Sequence, residues 1–111
     1  MATSVSTIEY IEDQLSDIPL VRSRKMFGEY ALYVANKVVA LVCDDTLFVK
    51  ITPEGERYVG PNFPTGFPYP GARPAFEIDV DHIDNHAWLV ELIEITEKAL
   101  PKTKPKMKTR R

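Results

Sequence analysis

The stretch Val38-Val39-Ala40-Leu41-Val42-Cys43-Asp44-Asp45-Thr46-Leu47-Phe48-Val49-Lys50 decides the fold class. An unbroken apolar run ends at Cys43, two aspartates follow, and a second apolar run starts after Thr46. The first run is too short for a helix of ordinary length and fits a strand covered on both faces, or nearly so. Asp44-Asp45 is turn chemistry, since aspartate hydrogen-bonds its own backbone and tolerates left-handed geometry. A turn this short joins antiparallel neighbours. In the second run Leu47, Val49 and Ile51 alternate with Phe48 and Lys50, which predicts a strand with one wetter face.

Upstream, Tyr30 to Val34 reads as the first clear strand and Ala35-Asn36-Lys37 as a turn, so residues 21–51 form a β-meander. Before it, Ile8, Ile11, Leu15 and Ile18 recur at helical spacing, and Ser6-Thr7-Ile8-Glu9 has the form of a capping box. The spacing predicts a helix over 6–18, stopped by Pro19. Downstream, Thr52-Pro53 opens a second, short helix that Gly60-Pro61 closes. The Pro- and Gly-dense stretch from Pro61 to Pro74 contains Phe63, Phe67 and Tyr69 and is expected to lie ordered against the body. Phe76, Ile78 and Val80 alternate as a strand from about Ala75. A last helix is predicted over 84–100, with Asp84 as its N-cap and Trp88, Leu89, Leu92 and Ile93 on its apolar side. The expected core is the two amphipathic helices lying on the meander, with Leu41 and Trp88 inside.

Residues 1–101 are expected to form one domain and 102–111 a basic, disordered tail, because a 111-residue chain holds one ordinary domain and apolar residues almost cease after Leu100. All sixteen acidic residues lie at or before Glu97, whereas Lys102, Lys104, Lys106, Lys108, Arg110 and Arg111 supply six of the fourteen basic ones. The acidic body should repel nucleic acid and the tail should attract it. The single cysteine excludes an internal disulfide and, with no secretory signal pattern at the N-terminus, places the expectation in the cytoplasm. No apolar run approaches the roughly 20 residues of a membrane-spanning helix.

Candidate chemistry is sparse. Cys43 closes an apolar strand beside two carboxylates that would raise its pKa, which suits a buried small hydrophobe better than a nucleophile. His82 and His86 stand four apart, but residue 83 is Ile and the helix is predicted to begin after His82, so the pair lacks a shared helical face and a third ligand. Asp44 and Asp45 point to opposite faces of any strand and do not converge. The glycines lack phosphate-loop spacing. No catalytic, metal or cofactor residue is assigned. Arg24 and Lys25, with Tyr30 and Tyr33, are the candidate partner surface, because aromatics beside basic residues suit protein contacts.

The run Arg24-Lys25-Met26-Phe27-Gly28-Glu29-Tyr30-Ala31-Leu32-Tyr33, with Val39-Ala40-Leu41-Val42-Cys43-Asp44-Asp45-Thr46-Leu47-Phe48-Val49-Lys50, resembles the signature of the TfoX/Sxy N-terminal domain family of competence regulators. Phe67-Pro68-Tyr69, Arg73-Pro74-Ala75-Phe76 and the helix from Trp88 to Ala99 resemble its later segments. Glu29 and Ala31 stand where that family usually has glycine, which predicts a more regular strand here. The resemblance implies an α+β fold: a two-layer antiparallel sheet with helices on one face, similar to type III secretion chaperones, in the order helix, three strands, helix, two strands, helix. It also implies a non-enzymatic interaction module, co-regulating competence-type transcription with a protein partner such as the cyclic-AMP receptor protein. Two-domain members carry a further C-terminal domain, so that role comes here by analogy. Homodimer formation is a further expectation.

The second functional reading is a weak, non-specific nucleic-acid binder acting through the tail. If all six tail cations engage duplex DNA, log K should fall against log salt with a slope of about −5. The expected result is weak, sequence-indifferent binding at low salt that is lost near physiological salt. Fluorescence anisotropy with two unrelated duplexes checks this; tight, duplex-selective binding at physiological salt would make the chain a sequence-specific DNA binder.

Overall fold

The computed structural model describes residues 3–26 and 29–101. The basic tail read at 102–111, and Phe27 and Gly28 of the signature run, lie outside the described residues.

The chain runs α1 (Val5–Gln14), β1 (Val21–Met26), β2 (Glu29–Val34), β3 (Lys37–Cys43), β4 (Thr46–Lys50), α2 (Pro53–Val59), β5 (Thr65–Gly66), β6 (Ala75–Ile78), α3 (Val80–Asp84) and α4 (His86–Ala99). The strands form one antiparallel sheet in the order β1-β2-β3-β4-β6-β5. This is the expected α+β fold, with one strand more before α2 than the resemblance implies. The extra strand is β1, which lies at the sheet edge and is exposed at most positions, so it shows none of the alternation that marks a half-buried strand.

Local chemistry sets the turns. Both residues of the Ala35-Asn36 turn and both of the Asp44-Asp45 turn have positive φ, the geometry that matches the right-handed twist of a two-residue hairpin. α2 starts as predicted: the Gly55 N–H donates to Thr52 Oγ1 at 3.0 Å, Pro53 occupies the first turn, and Gly60 ends the helix at φ +89°. α1 starts earlier than predicted. Ser4, not Ser6, is its N-cap and accepts from the Thr7 N–H, and the helix stops at Gln14, while Leu15 and Ile18 stay buried beyond its end. The predicted last helix is α4, and a further short helix, α3, precedes it. Asn85, rather than Asp84, caps α4 by accepting from the Trp88 N–H, and Val80 belongs to α3 instead of a strand.

The core lies on one face of the sheet. Ile8 and Ile11 from α1, Leu15 just beyond it, and Leu89, Leu92 and Ile93 from α4 meet Leu32, Ala40, Val42, Leu47, Val49, Phe76 and Ile78 from the strands. Leu41 and Trp88 are not inside this core; each is half-buried. Residue alternation turns Leu41 to the opposite face, where it packs with Cys43, Phe48 and Ala75. An uninterrupted apolar run carries no signal of which side faces the helices, which is why Leu41 was misplaced. Phe48 is likewise buried on this second face, so β4 is drier there than its alternation implied.

Lys37, at the start of β3, ties the sheet to the end of α4. Its ammonium donates to the Glu97 backbone carbonyl and to Glu97 Oε2, both at 2.9 Å, with the two side chains 12% and 23% exposed.

Candidate functional site

The second face of the sheet carries no helix. What covers part of it is the connection between β5 and β6, residues 67–74, which is the Pro- and Gly-dense segment expected to lie ordered against the body. Gly66 lets that segment start close to the sheet: a Cβ there would lie 2.7 Å from Glu77 Oε1 and 3.3 Å from the Phe48 ring. Further on, the Ala72 N–H donates to the Tyr69 carbonyl at 3.0 Å, and Gly71 takes φ +87°. The loop arches over Leu41 and Phe48 and leaves two cavities beneath and beside it.

The first cavity has a volume of about 520 Å³ and is lined by Leu41, Phe48, Lys50, Ile51, Tyr69 and Arg73, among others. The second, of about 460 Å³, is lined by Met26, Glu29, Leu41, Cys43, Pro68 and Tyr69, among others. Leu41, Pro68 and Tyr69 border both, so the two form one groove pinched at Tyr69. Tyr69, which borders the groove, is 55% exposed, and Phe67, two residues before it, is 65% exposed. Met26 is exposed at the other end.

The partner surface read from sequence is divided by the sheet. Arg24 lies across from Ala31 and Lys25 across from Tyr30 on neighbouring strands, so the two basic residues point to opposite faces. Tyr30 packs against the helix-side core. Tyr33 lies on the other face, where the Arg22 guanidinium sits 4.9 Å from its ring centroid. Of the four residues only Tyr30 borders the groove. The exposed aromatics are instead Phe67 and Tyr69 on the loop and Tyr10 on α1, and the groove depends on a loop whose course over the sheet no local spacing encodes. The Pro-Gly density around the aromatics was the available signal.

The residues weighed for chemistry are held by ordinary partners. Burial pushes the Cys43 thiol above its usual pKa, and the nearby Glu29 carboxylate adds to the rise, which disfavours the thiolate. Glu29, standing at a usual glycine of the resembled family, accepts from Thr3 Oγ1 at 2.6 Å and from the Asp44 N–H at 3.1 Å. β2 pairs with β1 in unbroken register, while its pairing with β3 shifts between Leu32 and Tyr33. Asp45 accepts from the Ser4 N–H and Thr7 Oγ1, and these bonds hold its carboxyl below the usual range. His82 and His86 sit on different helices. His82 pairs with Asp79 and packs 4.4 Å from the Trp88 ring, and His86 Nε2 lies 2.8 Å from Asp17 Oδ2. Among the described residues no cluster of His, Cys, Asp and Glu could hold a metal ion. Among them, too, no helix is long and apolar enough to cross a membrane.

Comparison with known proteins adds two findings. A family model described as the TfoX N-terminal domain matches residues 13–100. An uncharacterized 12.7 kDa protein in the trpE 5′ region of Spirochaeta aurantia is 40% identical over 106 residues, covering 96% of this chain and 90% of that protein.

Proposed function

The chain belongs to the TfoX N-terminal domain family, and from that premise we propose that it is a non-enzymatic protein-interaction module that co-regulates competence-type transcription in the cytoplasm. The observation that carries this reading is the exposed Tyr69 bordering an apolar groove on the helix-free face of the sheet, with the exposed Phe67 two residues before it on the same loop. Large aromatics held on a proline-stiffened loop lose little conformational freedom on contact and bury much area, which is what anchors of a protein interface do. The acidic body favours a protein over nucleic acid as the partner of this face.

The test is genetic. Deleting the gene should lower transcripts of DNA-uptake genes, and the wild-type protein should restore them. A Phe67→Ser/Tyr69→Ser variant of unchanged thermal midpoint should fail to restore them. A deletion that leaves those transcripts unchanged sinks the regulatory role, and a variant that restores them fully sinks this face as the interface.

A further inference from the structure

Two cations line the first cavity without partners. Lys50 and Arg73 are both exposed, and neither makes an ion pair or side-chain hydrogen bond among the described residues. Lys37 is engaged with Glu97, and Arg22 with Asn36 and the Tyr33 ring. Arg24, Lys25, Arg57 and Lys98 make no ion pair or side-chain hydrogen bond among the described residues but line neither cavity. Lys50 pairs across the sheet with Ala75, and Arg73 lies two residues before Ala75, so the seam between β4 and β6 brings both to one cavity. In a chain with sixteen acidic residues, two neighbouring unpaired cations at one cavity make a local site that attracts an anion. Glu77, on the same face of β6, is outside the cavity lining.

The remainder of the lining is apolar: Leu41, Phe48, Ile51, Tyr69 and Leu100. A volume of about 520 Å³ falls within the span of small-molecule sites, which are largely apolar with a few polar groups fixing orientation. The second cavity continues from Leu41 and Tyr69 as a mostly apolar channel toward Met26 and Cys43, with Glu29 the one charged residue in its lining.

We infer that this groove binds a small amphipathic carboxylate, an acyl chain whose head sits between Lys50 and Arg73 and whose tail runs over Leu41 toward the second cavity. The head group gains charge-assisted hydrogen bonds, bidentate where Arg73 supplies them. The tail leaves water, so affinity rises with chain length by about three- to fourfold per methylene until the second cavity is filled. A simple inorganic anion lacks the tail, and an amphipathic cation meets the wrong charge. This binding needs no protein partner, so it stands or falls separately from the interaction role.

Isothermal titration calorimetry on the full chain tests it with decanoate, octanoate and decyltrimethylammonium below their micellar concentrations. The expected result is saturable 1:1 binding of decanoate, about tenfold weaker binding of octanoate, and no binding of the cation. Lys50→Gln and Arg73→Gln should each weaken decanoate, and the double variant should lose about tenfold or more, with the thermal midpoint unchanged because both side chains are exposed. Amide shifts on decanoate addition should cluster at Leu41, Ala72 and Ala75. Absence of saturable decanoate binding in the millimolar range would overturn the inference. So would equal binding of the cation, or a folded double variant that binds decanoate like the wild type.

Discussion

Leu92→Ala is expected to lower the unfolding free energy by about 2–5 kcal/mol. Leu92 is fully buried on α4, among the strand residues of the helix-side core. It also reaches α2, because a Cβ placed on Gly55 would lie 3.7 Å from Leu92 Cδ1. Truncation therefore opens a cavity where two helices and the sheet meet, and close packing on all sides restrains collapse around it. The melting temperature should fall by roughly 10 °C or more. Leu41→Ala is the comparison. Leu41 is half-buried on the other face and borders the open groove, so its truncation should cost about 1–2 kcal/mol. Denaturant melts of the two variants check the assignment of faces; equal losses would mean that the groove side is packed as tightly as the core.

Lys37→Met is expected to cost about 1–3 kcal/mol. The ammonium satisfies a carbonyl of the last turn of α4 and a largely enclosed carboxylate at once. Its positive charge also sits at the negative end of the helix dipole. Removing it leaves the Glu97 carboxylate, 23% exposed, without its cation and leaves the carbonyl without its donor. Glu97→Gln should cost less, since the carbonyl bond survives. A double-mutant cycle over Lys37→Met and Glu97→Gln measures the coupling. Because both groups are mostly shielded, the coupling should weaken only modestly with added salt. A coupling below about 0.3 kcal/mol would reduce the pair to an ordinary surface contact.

What the sequence made legible followed physical signals of short range. Thr52-Pro53 and Gly60 bracketed α2 and Asp44-Asp45 marked the β3–β4 turn, both as found. The helical spacing of Ile8 and Ile11 marked α1, though with its start at Val5 and its end at Gln14 rather than over 6–18. The misses have a common cause in context beyond the local window. β1 hid because an edge strand needs no apolar alternation, and Val21-Arg22-Ser23-Arg24-Lys25-Met26 has none. α3 hid because Phe76, Ile78 and Val80 continue a strand-like alternation into its first residue, and Asp84 and Asn85 are both good cap residues for α4. The groove was the least legible feature. It depends on the loop after Gly66 crossing Leu41 and Phe48, residues remote in sequence, and this contact moves the exposed aromatics from the predicted Tyr30 and Tyr33 to Phe67 and Tyr69.

The order of the sheet also has a meaning in time. β1 to β4 are neighbours in both sequence and space, so their hairpins can close as soon as they leave the ribosome. The helix that covers Leu32, Val42, Leu47 and Val49 is encoded last among the core elements, roughly fifty residues after Lys50. At ordinary translation rates of about 5–20 residues per second, the nascent meander waits several seconds with that apolar face open to its surroundings. During that wait the part of that face not covered by α1 is open to association with other chains. The exposure ends only when α4 docks and Lys37 clasps its final turn.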